Sequence, residues 1–194
     1  MEAHHDLFAR PAWLEQFAAN VPPCPDTTAR MRLAIRLSRL NVEHRTGGPF
    51  GAVVVETGTG RVLGAGVNVV VQANSSLAHA EMVALAAAQS CLGSYDLASA
   101  ASGGCVLASS SEPCAMCLGA IQWSGVSSLS YGARDEDIRR IGFDEGIKPA
   151  DWQSQFEACG ITVKRDVLRA EAVKVLDDYR NSGGIIYNPS RAKT

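Results

Sequence analysis

His79-Ala80-Glu81 and Pro113-Cys114-Ala115-Met116-Cys117 supply three metal ligands and one free carboxylate. That is the inventory for hydrolysing an amino group off an aromatic ring. A catalytic zinc takes about three protein ligands and keeps one position for water. Cys114 and Cys117 are three residues apart, so on a helix their side chains share a face. Pro113 suits the opening position of such a helix, where its missing N–H costs nothing. Both thiols then fall in the first turn, where the positive end of the helix dipole favours thiolates. His79 is the third ligand and precedes Glu81-Met82-Val83-Ala84-Leu85-Ala86-Ala87-Ala88, a run of strong helix formers. The expected site is two helix N-termini facing each other across one Zn2+ per subunit with a bound water. One neutral imidazole and two thiolates cancel the ion's charge, and the water's pKa falls towards about 7. Glu81 lies close enough to face that water without binding the metal, and it is the candidate catalytic proton carrier.

Other readings of Cys-x-x-Cys are a redox pair or a structural zinc knuckle. A structural zinc wants a fourth protein ligand, for which Cys105 is the candidate. A redox pair has no use for His-x-Glu at the head of another helix. The agreement of two spaced motifs favours catalysis.

The elements that must position these residues come next. A chain of 194 residues with 46% apolar content can bury a core in one domain plus an appendage. No apolar stretch approaches the roughly 20 residues of a membrane span. The N-terminus carries acidic and polar residues, so it does not read as a signal peptide. Cys24, Cys91, Cys105 and Cys159 read as buried or half-buried free thiols, which fits a reducing cytoplasm. The net charge of −2 disfavours nucleic acid as a partner. Arg30, Arg32, Arg36 and Arg39 fall at helical spacing and read as a solvated helix face.

Residues 7–20 have helical periodicity, and Val21-Pro22-Pro23-Cys24-Pro25 breaks it. Asp26 or Thr27 can cap a longer helix to about Glu43. Phe50 to Val55 and Arg61 to Asn68, joined by Thr57-Gly58-Thr59-Gly60, read as a hairpin. Residues 69–78 read as a loop, and residues 79–91 as a helix. Strands are expected at 104–109, 126–131 and 161–164, a helix after Glu112, and a last helix at 167–179. Strand–helix alternation after the hairpin predicts parallel pairing. The fold expected is a three-layer α/β/α sandwich around a mixed, about five-stranded sheet. Both zinc-ligand helices begin at the carboxyl ends of strands or just after a loop, where open α/β sheets place sites.

The spacing His-x-Glu…Pro-Cys-x-x-Cys is the known signature of zinc-dependent base deaminases, with the Glu outside the metal shell. From Pro49 to Gly146 the chain resembles the cytidine deaminase-like superfamily. The resemblance rests on Pro49-Phe50-Gly51-Ala52-Val53, on His79-Ala80-Glu81, and on Ser111-Glu112-Pro113-Cys114-Ala115-Met116-Cys117-Leu118-Gly119-Ala120-Ile121. Gln122-Trp123 and Gly142-Phe143-Asp144-Glu145-Gly146 look like its guanine deaminase branch. The domain limits expected from the run of elements are an N-terminal helical extension at 1–25, a zinc deaminase domain at 26–182 and a C-terminal tail at 183–194. The resemblance implies hydrolytic deamination of a free purine base, most simply guanine to xanthine and ammonia, and so a place in purine catabolism. It also implies that Glu145 is a second catalytic proton carrier and that Asn68 hydrogen-bonds the base. Phe50 and Trp123 are implied to line or stack on the base, with Phe143 packed beside it. Tyr187, after Gly183-Gly184, is a candidate from the tail. The implied partners are a small-molecule nucleobase and a second copy of the chain in a homodimer. The alternatives are another substrate (tRNA adenosine, cytosine or an aminotriazine) and a non-catalytic zinc-stabilised or redox module.

Overall fold

The computed structural model describes residues 7–101 and 103–189. Residues 1–6 of the expected extension and 190–194 of the expected tail lie outside the described residues. Pro11, with φ −58°, leads into α1 (Ala12–Ala18). This is shorter than the periodicity predicts, because the helix starts only after that proline. The proline-rich connector follows, and Asp26 then accepts from Ala29 N at 2.8 Å and caps α2 (Thr27–Glu43). The hairpin forms as β1 (Gly51–Glu56) and β2 (Val62–Val67). Within the expected loop, α3 (Val70–Ala73) makes a single turn before α4 (Ala80–Leu92). After α5 (Leu97–Ala100) come β3 (Cys105–Ser111), α6 (Ala115–Ser124) and β4 (Ser128–Ala133). The chain closes with α7 (Asp135–Arg140), α8 (Trp152–Ala158), β5 (Thr162–Lys164) and α9 (Arg169–Asn181).

The five strands lie in the order β2-β1-β3-β4-β5. β1 is antiparallel to both β2 and β3, whereas β3, β4 and β5 run parallel. The sheet is therefore mixed, as expected. Pleating sends alternate residues to opposite faces. Val53, Val55, Val106 and Ala108 pack in one cluster with Met31 and Leu37 of α2 and Val175 and Leu176 of α9. Ala52, Val54, Leu107 and Leu129 pack in the other with Ala84, Leu85 and Ala88 of α4, Ile121 of α6 and Phe156 of α8. Each large aliphatic chain so buried stabilises the fold by about 1.5–3 kcal/mol.

Two antiparallel steps make β2 and β3 point the same way. The carboxyl ends of β2, β3 and β4 and the entry to β1 therefore share one end of the sheet. α4 is pressed unusually close to β2: a Cβ on Gly64 or Gly66 would collide with the carbonyls of Ala84 or Ala80. Only glycine permits that approach, and it fixes the start of α4 over the strand end.

Several expectations change. Pro113 does not open α6; it stands one residue before the N-cap, which is Cys114, and Cys117 alone of the pair lies in the first turn. Cys24 and Cys105 are buried, but Cys91 and Cys159 are exposed. Arg30 is not part of a solvated face. Its Nε donates to Cys24 O at 3.0 Å and its Nη2 to Pro25 O at 2.7 Å, satisfying carbonyls of the proline-rich connector. Arg36 lies over the Phe17 ring at 4.8 Å. The N-terminal helix packs on the core rather than standing apart. Leu14 is fully buried, and Trp13 stacks on His44 and donates to Thr46 Oγ1 at 3.1 Å. Thr46 Oγ1 donates to Asn41 Oδ1, and buried Asn41 donates to the carbonyls of both Gly48 and Asn68 at 2.8 Å. A polar chain thus runs from the appendage to the two segments that enter and leave the hairpin.

Candidate active site

His79 is the N-cap of α4 and Cys114 the N-cap of α6, and neither side chain caps its own helix. Both are free to point across the gap between the helix ends. His79 Nδ1 lies 3.4 Å from Cys114 Sγ and 3.7 Å from Cys117 Sγ. Zinc bonds of about 2.0–2.1 Å to nitrogen and 2.3 Å to sulfur at a tetrahedral angle require about 3.6 Å. Among the described residues these three form the one group of three or more His, Cys, Asp or Glu side chains able to hold a metal. Cys105 cannot join it, because it lies at the other end of β3, roughly 20 Å away at about 3.3 Å per residue.

The electrostatics also fit a cation. Cys114 is held down to about 4, first by its pairing with Cys117, and the same pairing pushes Cys117 well above its ordinary value, so that Cys117 keeps its proton. A divalent metal replaces such a proton. Burial works against a charged His79, yet Cys114, Glu81 and Glu145 together raise its proton affinity. The residues converge on a place that asks for positive charge.

Glu81 is buried in the first turn of α4. Its Oε1 accepts from Ser109 Oγ at 2.9 Å and its Oε2 from Cys117 Sγ at 3.5 Å. Burial, and then Cys114, raise its pKa above the usual carboxylate range. Glu145 arrives from the loop after α7. Its carbonyl accepts from Ala115 N, the first residue of α6, at 3.1 Å. Burial, then Cys114, push its carboxyl up to about 8, against the pull of Lys148. Two buried carboxyls whose proton affinity is raised suit acid–base work.

These groups open on a cavity of about 650 Å3. Phe50, Asn68, Phe143 and Tyr187 line it together with His79, Glu81, Cys114 and Glu145. The Phe143 ring meets both Phe50 and Tyr187 edge-on at 5.1 Å. Asn68 is buried, and its Oδ1 accepts from Val70 N at 3.3 Å. The structure does not bring Trp123 to the cavity; it is 88% exposed on α6. It shares a helix face with Met116, which lines the cavity, but stands two turns, about 10 Å, further along α6 and out of reach. The expected stacking role for Trp123 within this subunit is therefore withdrawn.

Sequence reasoning missed several residues that shape the site. Val70, Val71, Asn74, Ser75 and Ser76 form one wall and come from the expected loop. Ser109 orients Glu81 across 28 residues, and no pattern along the chain signals that contact. Ser111 also lines the cavity, and its Oγ is buried without a hydrogen-bond partner among the described residues, as is the Tyr187 hydroxyl. Asn188 Oδ1 accepts from Asp144 N and its Nδ2 donates to Gly142 O, both at 2.9 Å. The segment carrying Tyr187 is thereby fastened to the Glu145 loop.

Residues 25–133 match the family model of the cytidine and deoxycytidylate deaminase zinc-binding region. A guanine deaminase of Bacillus subtilis (strain 168) is 38% identical over 127 residues, covering 62% of this chain and 77% of the relative. tRNA-specific adenosine deaminase of Buchnera aphidicola also matches, at 30% identity over 68% of this chain and 79% of its own. Among solved structures, NE0047 in complex with 2,6-diaminopurine superposes with a TM-score of 0.88 at 42% identity, covering 96% of this chain and 97% of its own. The guanine deaminase from Nitrosomonas europaea gives 0.85 at 42% identity, with 90% and 95% covered.

Proposed function

We infer that this chain, which belongs to the cytidine and deoxycytidylate deaminase zinc-binding family, hydrolyses guanine to xanthine and ammonia. The observation that carries this reading is the convergence of two buried carboxyls of raised proton affinity, Glu81 and Glu145, on one metal-ligand cluster in an aromatic-walled cavity. The relatives named as guanine deaminases and the solved structures holding purine analogues support it.

When bound by His79, Cys114 and Cys117, zinc supplies the Lewis acidity that makes water a nucleophile near neutral pH. Glu81, fixed by Ser109, accepts the water's proton and passes it to a ring nitrogen beside the amino-bearing carbon. Glu145 gives its proton to the departing amine and takes one back from the new hydroxyl as that becomes the carbonyl of xanthine, so that ammonia leaves and the carboxyl is restored. Asn68 can donate and accept at once, which suits the carbonyl and ring-nitrogen side of guanine. Phe50, Phe143 and Tyr187 hold the flat ring at low entropic cost.

Ammonia release from guanine, cytosine, cytidine, adenine, guanosine and an aminotriazine tests the assignment. Guanine is expected to be the best substrate, with Asn68→Ala raising KM about tenfold or more through the lost hydrogen bonds. Release from cytosine or a nucleoside alone discards the guanine reading. The tRNA adenosine alternative is disfavoured by the net charge of −2. An RNA substrate demands salt-dependent binding, and its appearance would overturn the free-base reading.

The exposed Trp123 supports a homodimer. Met116, Ala120 and Trp123 lie at helical spacing on α6, giving an apolar face suited to a second copy. Trp123→Asp is expected to halve the mass measured by sedimentation equilibrium, and an unchanged mass removes this face from the interface. The six cysteines are free, in keeping with a reducing cytoplasm, and no described helix is long and apolar enough to cross a membrane.

A further inference from the structure

Lys148 is a lysine held as though in a core. Its side chain is only 9% exposed. The ammonium donates to Glu112 Oε1 at 2.8 Å and to Pro113 O at 3.2 Å, and it lies 2.7 Å from Asp135 Oδ1. Three N–H donors thus meet three acceptors. Glu112 Oε2 meanwhile accepts from Asp135 N at 3.1 Å. The acceptors belong to the turn that ends in Cys114 and to the first turn of α7. Lys148 itself follows Glu145 by three residues. On the other side of that loop, Arg139 Nη2 donates to Gly146 O at 2.8 Å.

A buried ion cluster is an inefficient source of stability, since desolvation offsets most of the attraction. Fixing one segment against another is the better use of it. We propose that Lys148 is a positioning residue for the reaction: it docks the Glu145 loop onto the Cys114 turn and so holds the Glu145 carboxyl at the leaving amine of the substrate. This rests on the reading of Glu145 as the second proton carrier. Asp135 and Glu112 neutralise the cation locally, while its remaining influence falls on Glu145, where it opposes burial and Cys114. No other lysine among the described residues has three such partners.

A double-mutant cycle tests it on zinc-loaded protein. Lys148→Met is expected to lower kcat about 10- to 100-fold, the effect of misplacing a reacting group by about 1 Å. KM should change by less than about threefold and zinc should remain at one per chain. In a Glu145→Gln background the same substitution should cost less than about threefold more, because the group it positions is already gone. An equal loss in both backgrounds, loss of zinc, or wild-type kcat would overturn the proposal. If Glu145→Gln alone leaves the rate intact, the proton-carrier reading fails and this proposal with it. A purely structural role would lower the melting temperature and slow both backgrounds alike. Should Lys148→Met fail to fold, Lys148→Arg keeps the charge but presents a planar fork that cannot meet this three-way cradle, and it runs through the same cycle.

Discussion

Glu81→Gln is expected to leave a folded, zinc-loaded protein that releases ammonia about 10^4-fold more slowly. One positioned acid or base contributes about 10^2- to 10^4-fold, and Glu81 is asked to serve first as base and then as acid. The substitution is close to isosteric. The amide oxygen can still accept from Ser109 Oγ, the contact that fixes the side chain at 2.9 Å. Folding should not suffer, because Glu81 is buried and its raised pKa already marks an environment that prefers the neutral form. Zinc should stay, since His79, Cys114 and Cys117 are untouched. Steady-state ammonia assays with metal analysis on the same sample decide the matter. Turnover within about tenfold of the parent would remove Glu81 from the mechanism.

Stripping the metal with a chelator is expected to lower the melting temperature by about 8–16 °C. A ligand at a thousand times its dissociation constant stabilises by about 4 kcal/mol. Each kcal/mol moves a domain of this size by about 2–4 °C. In the stripped protein two groups pull stability in opposite directions as pH rises. Burial pushes the Glu145 carboxyl up to about 8, a contribution lost as pH climbs through that value. Cys114, held down to about 4, contributes more stability as pH rises above that value. The stripped protein should therefore show a shallow pH dependence. Calorimetry of loaded and stripped protein at several pH values would show both effects. Identical melting curves would mean that the three ligands do not bind metal tightly.

The chemistry was legible because it is local. His79 with Glu81, and Cys114 with Cys117, are pairs that any helix start brings together. The hairpin and the cap at Asp26 were legible for the same reason. What was hidden depends on place along a helix or on distant partners. Trp123 was misplaced because its role came from the resemblance alone, while its place two turns along α6 leaves it exposed outside the cavity. The clamp of Lys148 on Glu112 spans 36 residues, and that of Asn188 on Gly142 spans 46. No pattern along the chain announces either. The charged run Asp135–Arg140 has no apolar periodicity, yet it forms α7, because Asp137 accepts from both Arg134 N and Arg169. Arg30 looked solvated for want of knowing that the proline-rich connector would fold back over it.

The strand directions have one more consequence. Phe50, Asn68 and the turn of Cys114 lie where β1 is entered and β2 and β3 are left, at one end of the sheet. The Thr57–Gly60 turn closes the hairpin at the other, with residues 57–59 exposed. That turn is where a new pair of chain ends, an affinity tag or an inserted reporter domain can be grafted, a full strand's length from the catalytic groups. A permuted enzyme opened at Gly58 should keep its turnover, because the scaffold separates the place where the chain may be cut from the place where bonds are broken.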